Sequence, residues 1–89
     1  HLFTIAGSEE EAAAIQAPAL EYLTAYGLEV ITGHDKGRAG DEILRYADHV
    51  DASVIALGAF GSNRLKEAIF GSTTDTVLKG ANAAVLLVA

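Results

Sequence analysis

The chain has 89 residues, 51% apolar and 20% charged, with a net charge of −6 and no cysteine, methionine or tryptophan. That length makes at most one small domain with a thin core, and the composition is that of a packed globular protein rather than a disordered one. The acidic balance argues against nucleic-acid backbones and anionic membranes as partners, and the absence of cysteine excludes a disulfide scaffold or a zinc–thiolate site.

Leu2–Ala6 is a short apolar run closed by Gly7 and Ser8, and it reads as a strand. Ser8 and Glu11 make the S-x-x-E capping box, and Glu9 to Glu11 load acid into a first helical turn. The acidic triplet is therefore a helix start, not a metal site. Ala12, Ile15, Ala19, Tyr22 and Tyr26 recur at three- and four-residue spacing and predict the inward face of that helix. Pro18 falls inside it and is expected to kink or split it, and Gly27 to stop it at C′.

Leu28–Thr32 is expected to form the second strand, and the glycine-rich stretch Gly33–Gly40 a flexible loop. Lys36 and Arg38 of that loop belong to a solvated segment unless a ligand lies beside them. His34 and His49 lack the spacing of metal ligands. Asp41–Val50 reads as a helix with Ile43, Leu44, Ala47 and Val50 facing inward. Ser53–Leu57 is an almost pure apolar strand, as expected when both faces of a sheet are covered.

The stretch from Gly58 to Thr73, GAFGSNRLKEAIFGST, is the most specific in the chain. Gly58 and Gly61 sit three apart at the end of a strand, where a tight turn lets bare amides approach a ligand. Ser62–Phe70 reads as a short helix. Gly71 follows, then Ser72, Thr73 and Thr74 at the start of a helix over Thr73–Lys79 that ends at Gly80. A Gly-Ser-Thr step there leaves N–H groups beside small hydroxyls, a setting for an oxyanion. A second reading of the same residues is structural, with turn glycines and a Ser72–Asp75 capping box. The joint spacing favours the first. Residues 61–89 hold two acids and three bases, whereas residues 1–60 hold ten acids and three bases, so only the glycine-rich part tolerates an anion. Ala84–Val88 is the last strand.

Strand–helix alternation with short connections predicts an α/β fold: an open parallel sheet with helices on both faces, in a single domain over residues 1–89. The longest uncharged stretch, Gly80–Ala89, is too short to span a bilayer, nothing at the start reads as a signal peptide, and the expected setting is cytoplasmic.

The pattern Gly58-x2-Gly61-x9-Gly71-Ser72 resembles the nucleotide-binding signature of the universal stress protein family. The tail TVLKGANAAVLLVA is similar to that family's last helix and strand, and GDEILRYADHVDASVIALG to its third helix and fourth strand. The likeness runs over nearly the whole chain and is closest to forms with two such domains in tandem. It implies a flavodoxin-like, Rossmann-type sheet of the adenine nucleotide α-hydrolase kind, lacking the first strand and helix. The chain then reads as an incomplete piece of a domain, in which Leu2–Ala6 and Ser53–Leu57 flank the place of the missing strand. The missing unit is also where the family's nucleoside-contacting acid lies.

By this resemblance the ligand is an adenine nucleotide, ATP, with or without magnesium, whose binding leans on the missing unit. Gly58, Gly61, Ser62, Gly71, Ser72 and Thr73 are the nucleotide-binding candidates. The implied role is a regulatory stress-response domain that pairs as a homodimer through Val85–Val88 or with a second domain of the same protein. The alternative is an interaction module that binds no nucleotide. No His or carboxylate cluster converges on the glycine stretch, so an enzyme is not expected beyond slow incidental ATP hydrolysis, and no catalytic residue is assigned.

Overall fold

A computed structural model describes residues 1–58 and 71–88. The elements are β1 (Leu2–Ile5), α1 (Glu9–Ala25), β2 (Thr32–Asp35), α2 (Ala39–His49), β3 (Val54–Gly58), α3 (Ser72–Gly80) and β4 (Ala84–Val88). They fall into two compact units, His1–Arg38 and Ala39–Ala89.

In the first unit β1 and β2 pair in parallel, Leu2 opposite Thr32 and Ile5 opposite Asp35, with α1 as the crossover between them. Helix α1 starts as its capping box directs. The Ser8 Oγ accepts from the Glu11 N–H at 3.1 Å, and the Glu11 carboxylate accepts in turn from the Gly7 N–H at 3.0 Å. Tyr26 caps the helix, and Gly27, at φ +77°, donates its N–H to the Thr24 carbonyl.

The buried face of α1 differs from the one its apolar spacing predicts. Ala12 is 2% exposed and Gln16 6%, whereas Ile15, Tyr22 and Tyr26 are more than half exposed. The deciding contact is polar. Gln16 Nε2 donates to the Gly33 carbonyl at 2.8 Å and to the Leu2 carbonyl at 3.3 Å, so one amide clamps the helix to both strands. A glutamine scores as surface in a hydropathy count, and here it outweighs the stripe of larger apolar residues.

Pro18 does not split the helix, which runs unbroken from Glu9 to Ala25. The missing N–H removes one bond to Ala14 on the exposed side of α1, and the remaining turns hold. The second strand starts four residues later than Leu28–Thr32 predicts and ends three later. A strand extends only as far as its partner, and β1 begins at Leu2, whose N–H bonds the Ile31 carbonyl at 2.8 Å. Gly33, His34 and Asp35 therefore join the ladder, Ala39 and Gly40 enter α2, and the expected eight-residue loop shrinks to residues 36–38.

In the second unit β3 and β4 also pair in parallel, Val54 opposite Ala84 and Gly58 opposite Val88. Helix α2 half-buries Ile43, Leu44, Ala47 and Val50, as the spacing predicts. It ends in a Schellman turn: the Ala52 N–H bonds the Ala47 carbonyl and the Asp51 N–H that of Asp48, with Asp51 left-handed at φ +53°. Glu42 is buried and held by Arg45 at 3.0 Å.

Helices α2 and α3 cross closely because two glycines permit it. A Cβ on Gly40 would lie 2.7 Å from the Thr76 side chain, and one on Gly80 would lie 2.6 Å from Leu44 Cδ1. Gly40 and Leu44 thus meet Thr76 and Gly80 in the same order, so the two helices run side by side in one direction. Gly80 is the last helical residue, kept small by Leu44, while Ala81 caps the helix. Val77 is fully buried.

Burial of both faces of β3 is not found. Ile55 is buried and Leu57 half-buried, while Val54 and Ala56 are exposed; along β4, Val85 and Leu87 are half-buried and Leu86 and Val88 exposed. Among the described residues one face of this pair is covered. No described helix is long and apolar enough to cross a membrane.

Candidate functional site

Parallel pairing of β3 with β4 fixes where the chain must go between them. A parallel crossover carries the chain from Gly58, at the finishing end of β3, back to Ala84 at the starting end of β4. Only three residues, Ala81 to Ala83, join α3 to β4. Nine helical residues rise about 14 Å and five strand residues about 16 Å. Helix α3 therefore runs back against the strands, and its first turn lies toward the edge where β3 and β4 finish. In open α/β sheets that edge is where ligands bind.

Gly58 is the last ladder residue of β3, and no atom of the described residues lies within 4 Å of where its Cβ would sit. Gly71 is the N-cap of α3, at φ −69° and ψ 166°. That is extended backbone open to any residue, so the conformation alone does not require a glycine there. What Gly71 lacks is a side chain to close the helix. No side-chain cap bond is formed, and Gly71 contributes only its carbonyl, which accepts from Asp75 N–H at 3.0 Å.

Ser72 is thus the first helical residue rather than the cap, which rules out the Ser72–Asp75 capping box. The Asp75 carboxylate instead pairs with Lys79 at 3.0 Å on the exposed side. By helix geometry the N–H groups of Ser72, Thr73 and Thr74 have no intrahelical acceptor. Ser72 is exposed, Thr73 half-buried and Thr74 buried. The amide of Thr74 joins the set that sequence reasoning had placed at Ser72 and Thr73, and counting from the true cap is the signal that finds it. Gly61 and Ser62, together with Arg64 and Lys66, lie outside the described residues.

The start of α1 offers the opposite chemistry. The Glu11 amide is taken by the Ser8 side chain, the Glu11 carboxylate takes the Gly7 N–H just before the helix, and Glu9 and Glu10 add negative charge in the first turn. A concave cleft of about 230 Å³ lies at the starting edge of β3 and β4, between Leu44, Asp48, Ile55 and Asn82, where Asn82 Nδ2 donates to Asp48 Oδ1 at 3.3 Å. It includes none of the glycine-signature residues. Among the described residues no three His, Cys, Asp or Glu side chains gather as metal ligands.

Parallel strands joined by helices, the last of which opens without a side-chain cap, make this an α/β protein with parallel β-α-β crossovers. The sequence model of the universal stress protein family matches residues 3–89, and the chain belongs to that family. Universal stress protein MJ0577 of Methanocaldococcus jannaschii is 38% identical over 48 residues, which is 54% of this chain and 30% of that protein. A solved structure described as a structure-based assignment of the biochemical function of hypothetical protein MJ0577 superposes with a TM-score of 0.77 at 32% identity. That superposition covers 89% of this chain and 55% of the other. The chain thus spans about half of the solved relative, and the two share an α/β fold of parallel strands and helices.

Proposed function

We propose that this chain supplies the phosphate-holding part of an adenine-nucleotide site in a regulatory stress-response protein, with ATP as the ligand. The observation that carries it is the bare start of α3: a glycine cap with no side-chain bond, followed by three amides and two accessible hydroxyl residues. Amides of Ser72 and Thr73 would take phosphate oxygens, Ser72 would add its hydroxyl, and Gly58 with Gly61 and Ser62 would form the facing turn. Family membership and the intact glycine signature support the same assignment.

Magnitudes set the limit of what this part does alone. A helix N-terminus favours an anion by about 0.3–2 kcal/mol. Micromolar affinity needs about 8 kcal/mol. The base and sugar must therefore be held by further residues of the complete protein. Magnesium, where it takes part, enters with the phosphates, since the described residues offer it no cluster of their own. The role we propose is binding, with hydrolysis of ATP at most incidental.

Mass spectrometry of the purified full-length protein tests this directly. Co-purifying adenine nucleotide that disappears in Gly71→Val, with the circular dichroism spectrum unchanged, is the expected outcome. Valine is compatible with the backbone at 71, so the variant should fold; full occupancy in it would remove the assignment.

A homodimer through Val85–Val88 is the second part of the proposal. It is supported by the exposure of Leu86 at 56% and Val88 at 52% on β4. Sedimentation of the complete protein should show a dimer that Leu86→Lys dissociates, and a monomer at high concentration would discard it.

A further inference from the structure

With no cysteine, methionine or tryptophan, this chain lacks the side chains that ordinarily surrender electrons first. A one-electron oxidant is left with the phenols. Of the three tyrosines, Tyr46 is half-buried on α2, while Tyr22 and Tyr26 are 63% and 70% exposed on the last turn of α1. One helical turn separates these two, so they occupy neighbouring positions on one face. Their ring centroids are 5.1 Å apart with the planes tilted by 56°, and their hydroxyl oxygens are 3.4 Å apart. The ring carbons next to those hydroxyls, where a phenoxyl radical couples, therefore lie side by side.

We propose that Tyr22 and Tyr26 form an oxidative modification site, closing as an intramolecular dityrosine across the last turn of α1 when the chain meets a one-electron oxidant. Each phenol gives up one electron and one proton, and two equivalents of oxidant accept the electrons. The two phenoxyl radicals join through a carbon–carbon bond ortho to each hydroxyl. The hydrogens displaced from those carbons return to the oxygens as the rings regain aromaticity. The net change is the loss of two hydrogen atoms, with no oxygen gained. Both rings are exposed, and they lie beyond Gln16 along the helix, clear of the turns that carry its buried residues Ala12 and Gln16.

The bond would staple the turn that leads into Gly27, fixing the end of α1 in an oxidised state that a reductant does not readily reverse. This rests on residues far in sequence from the glycine signature and does not depend on nucleotide binding.

The test oxidises the full chain with photogenerated tris(bipyridine)ruthenium(III) and persulfate. The expected product is a monomer lighter by two hydrogens, with dityrosine fluorescence, formed in a yield independent of protein concentration, and mapping to a linked Tyr22–Tyr26 peptide. Tyr22→Phe and Tyr26→Phe should each abolish it, and Tyr46→Phe should not. An oxygenated monomer, a covalent dimer as the main product, or a fluorescent monomer surviving Tyr26→Phe would each overturn the proposal. Peptide mapping of the unsubstituted chain decides the matter even if a variant folds poorly.

Discussion

Helices α1 and α3 both serve as crossovers between parallel strands, yet Ser8 and Glu11 fill one helix start while Gly71 leaves the other bare. The first arrangement ties the Glu11 amide to the cap side chain and surrounds the helix start with acid. The second leaves its amides without a side-chain partner at the cap. A helix start carries the same partial positive charge in either case, so what separates a structural terminus from a binding one is the side chain at the cap. The packing differs in the same sense. Gln16 ties α1 to its strands by two hydrogen bonds, whereas α2 and α3 meet through glycines at 40 and 80 and the wholly buried Val77.

The sharpest way to break this contrast is Gln16→Glu. It removes both donors and sets a buried acceptor against the carbonyls of Leu2 and Gly33, at a cost of about 3 kcal/mol or more. Urea denaturation of the complete protein should show that loss, and a near-neutral result would mean the amide is incidental. Next comes Gly71→Asp, which gives α3 the cap it lacks. It should gain a few tenths of a kcal/mol in stability, while lowering nucleotide affinity on the order of 100-fold, about 2.7 kcal/mol, by repulsion. Calorimetric titration with ATP checks the second half. A variant that is both more stable and equally tight would show that the bare start holds no phosphate.

Ser8→Ala should cost about 1 kcal/mol and leave nucleotide affinity untouched, since α1 closes on itself. Any loss of binding in that variant would erase the distinction between the two helix starts. The smallest effect is expected at Asp51. Its left-handed backbone carries a strain that glycine does not, and Asp51→Gly should raise stability by less than about 1 kcal/mol, since aspartate tolerates this region and glycine loses more entropy on folding, read as a shift in denaturation midpoint.

Much of the local structure was legible before any coordinates. The Ser8–Glu11 box, the stop at Gly27, the inward side of α2 and the parallel α/β class all follow from short-range chemistry. The face of α1 was legible only at Ala12, because Ile15, Ala19, Tyr22 and Tyr26 continue its apolar stripe more cleanly than Gln16 does. The limits of β2 were missed for a related reason: Leu28 to Ile31 look more like a strand than Thr32 to Asp35, but a strand needs a partner. At the candidate site, Gly58, Gly71, Ser72 and Thr73 were visible as a pattern. Which residue actually caps α3 was not, since Gly71 and Ser72 are both acceptable N-caps by preference alone.

What the sequence determined by itself is therefore what short-range chemistry carries, namely helix starts and stops, turn glycines and the runs that favour strands, together with the spacing of the glycine signature. Tertiary structure alone decided which of two helical faces is buried, how far each strand extends and why Gly40 and Gly80 must be small. Those outcomes depend on carbonyls and side chains brought together from distant parts of the chain, and no local propensity records where they will meet.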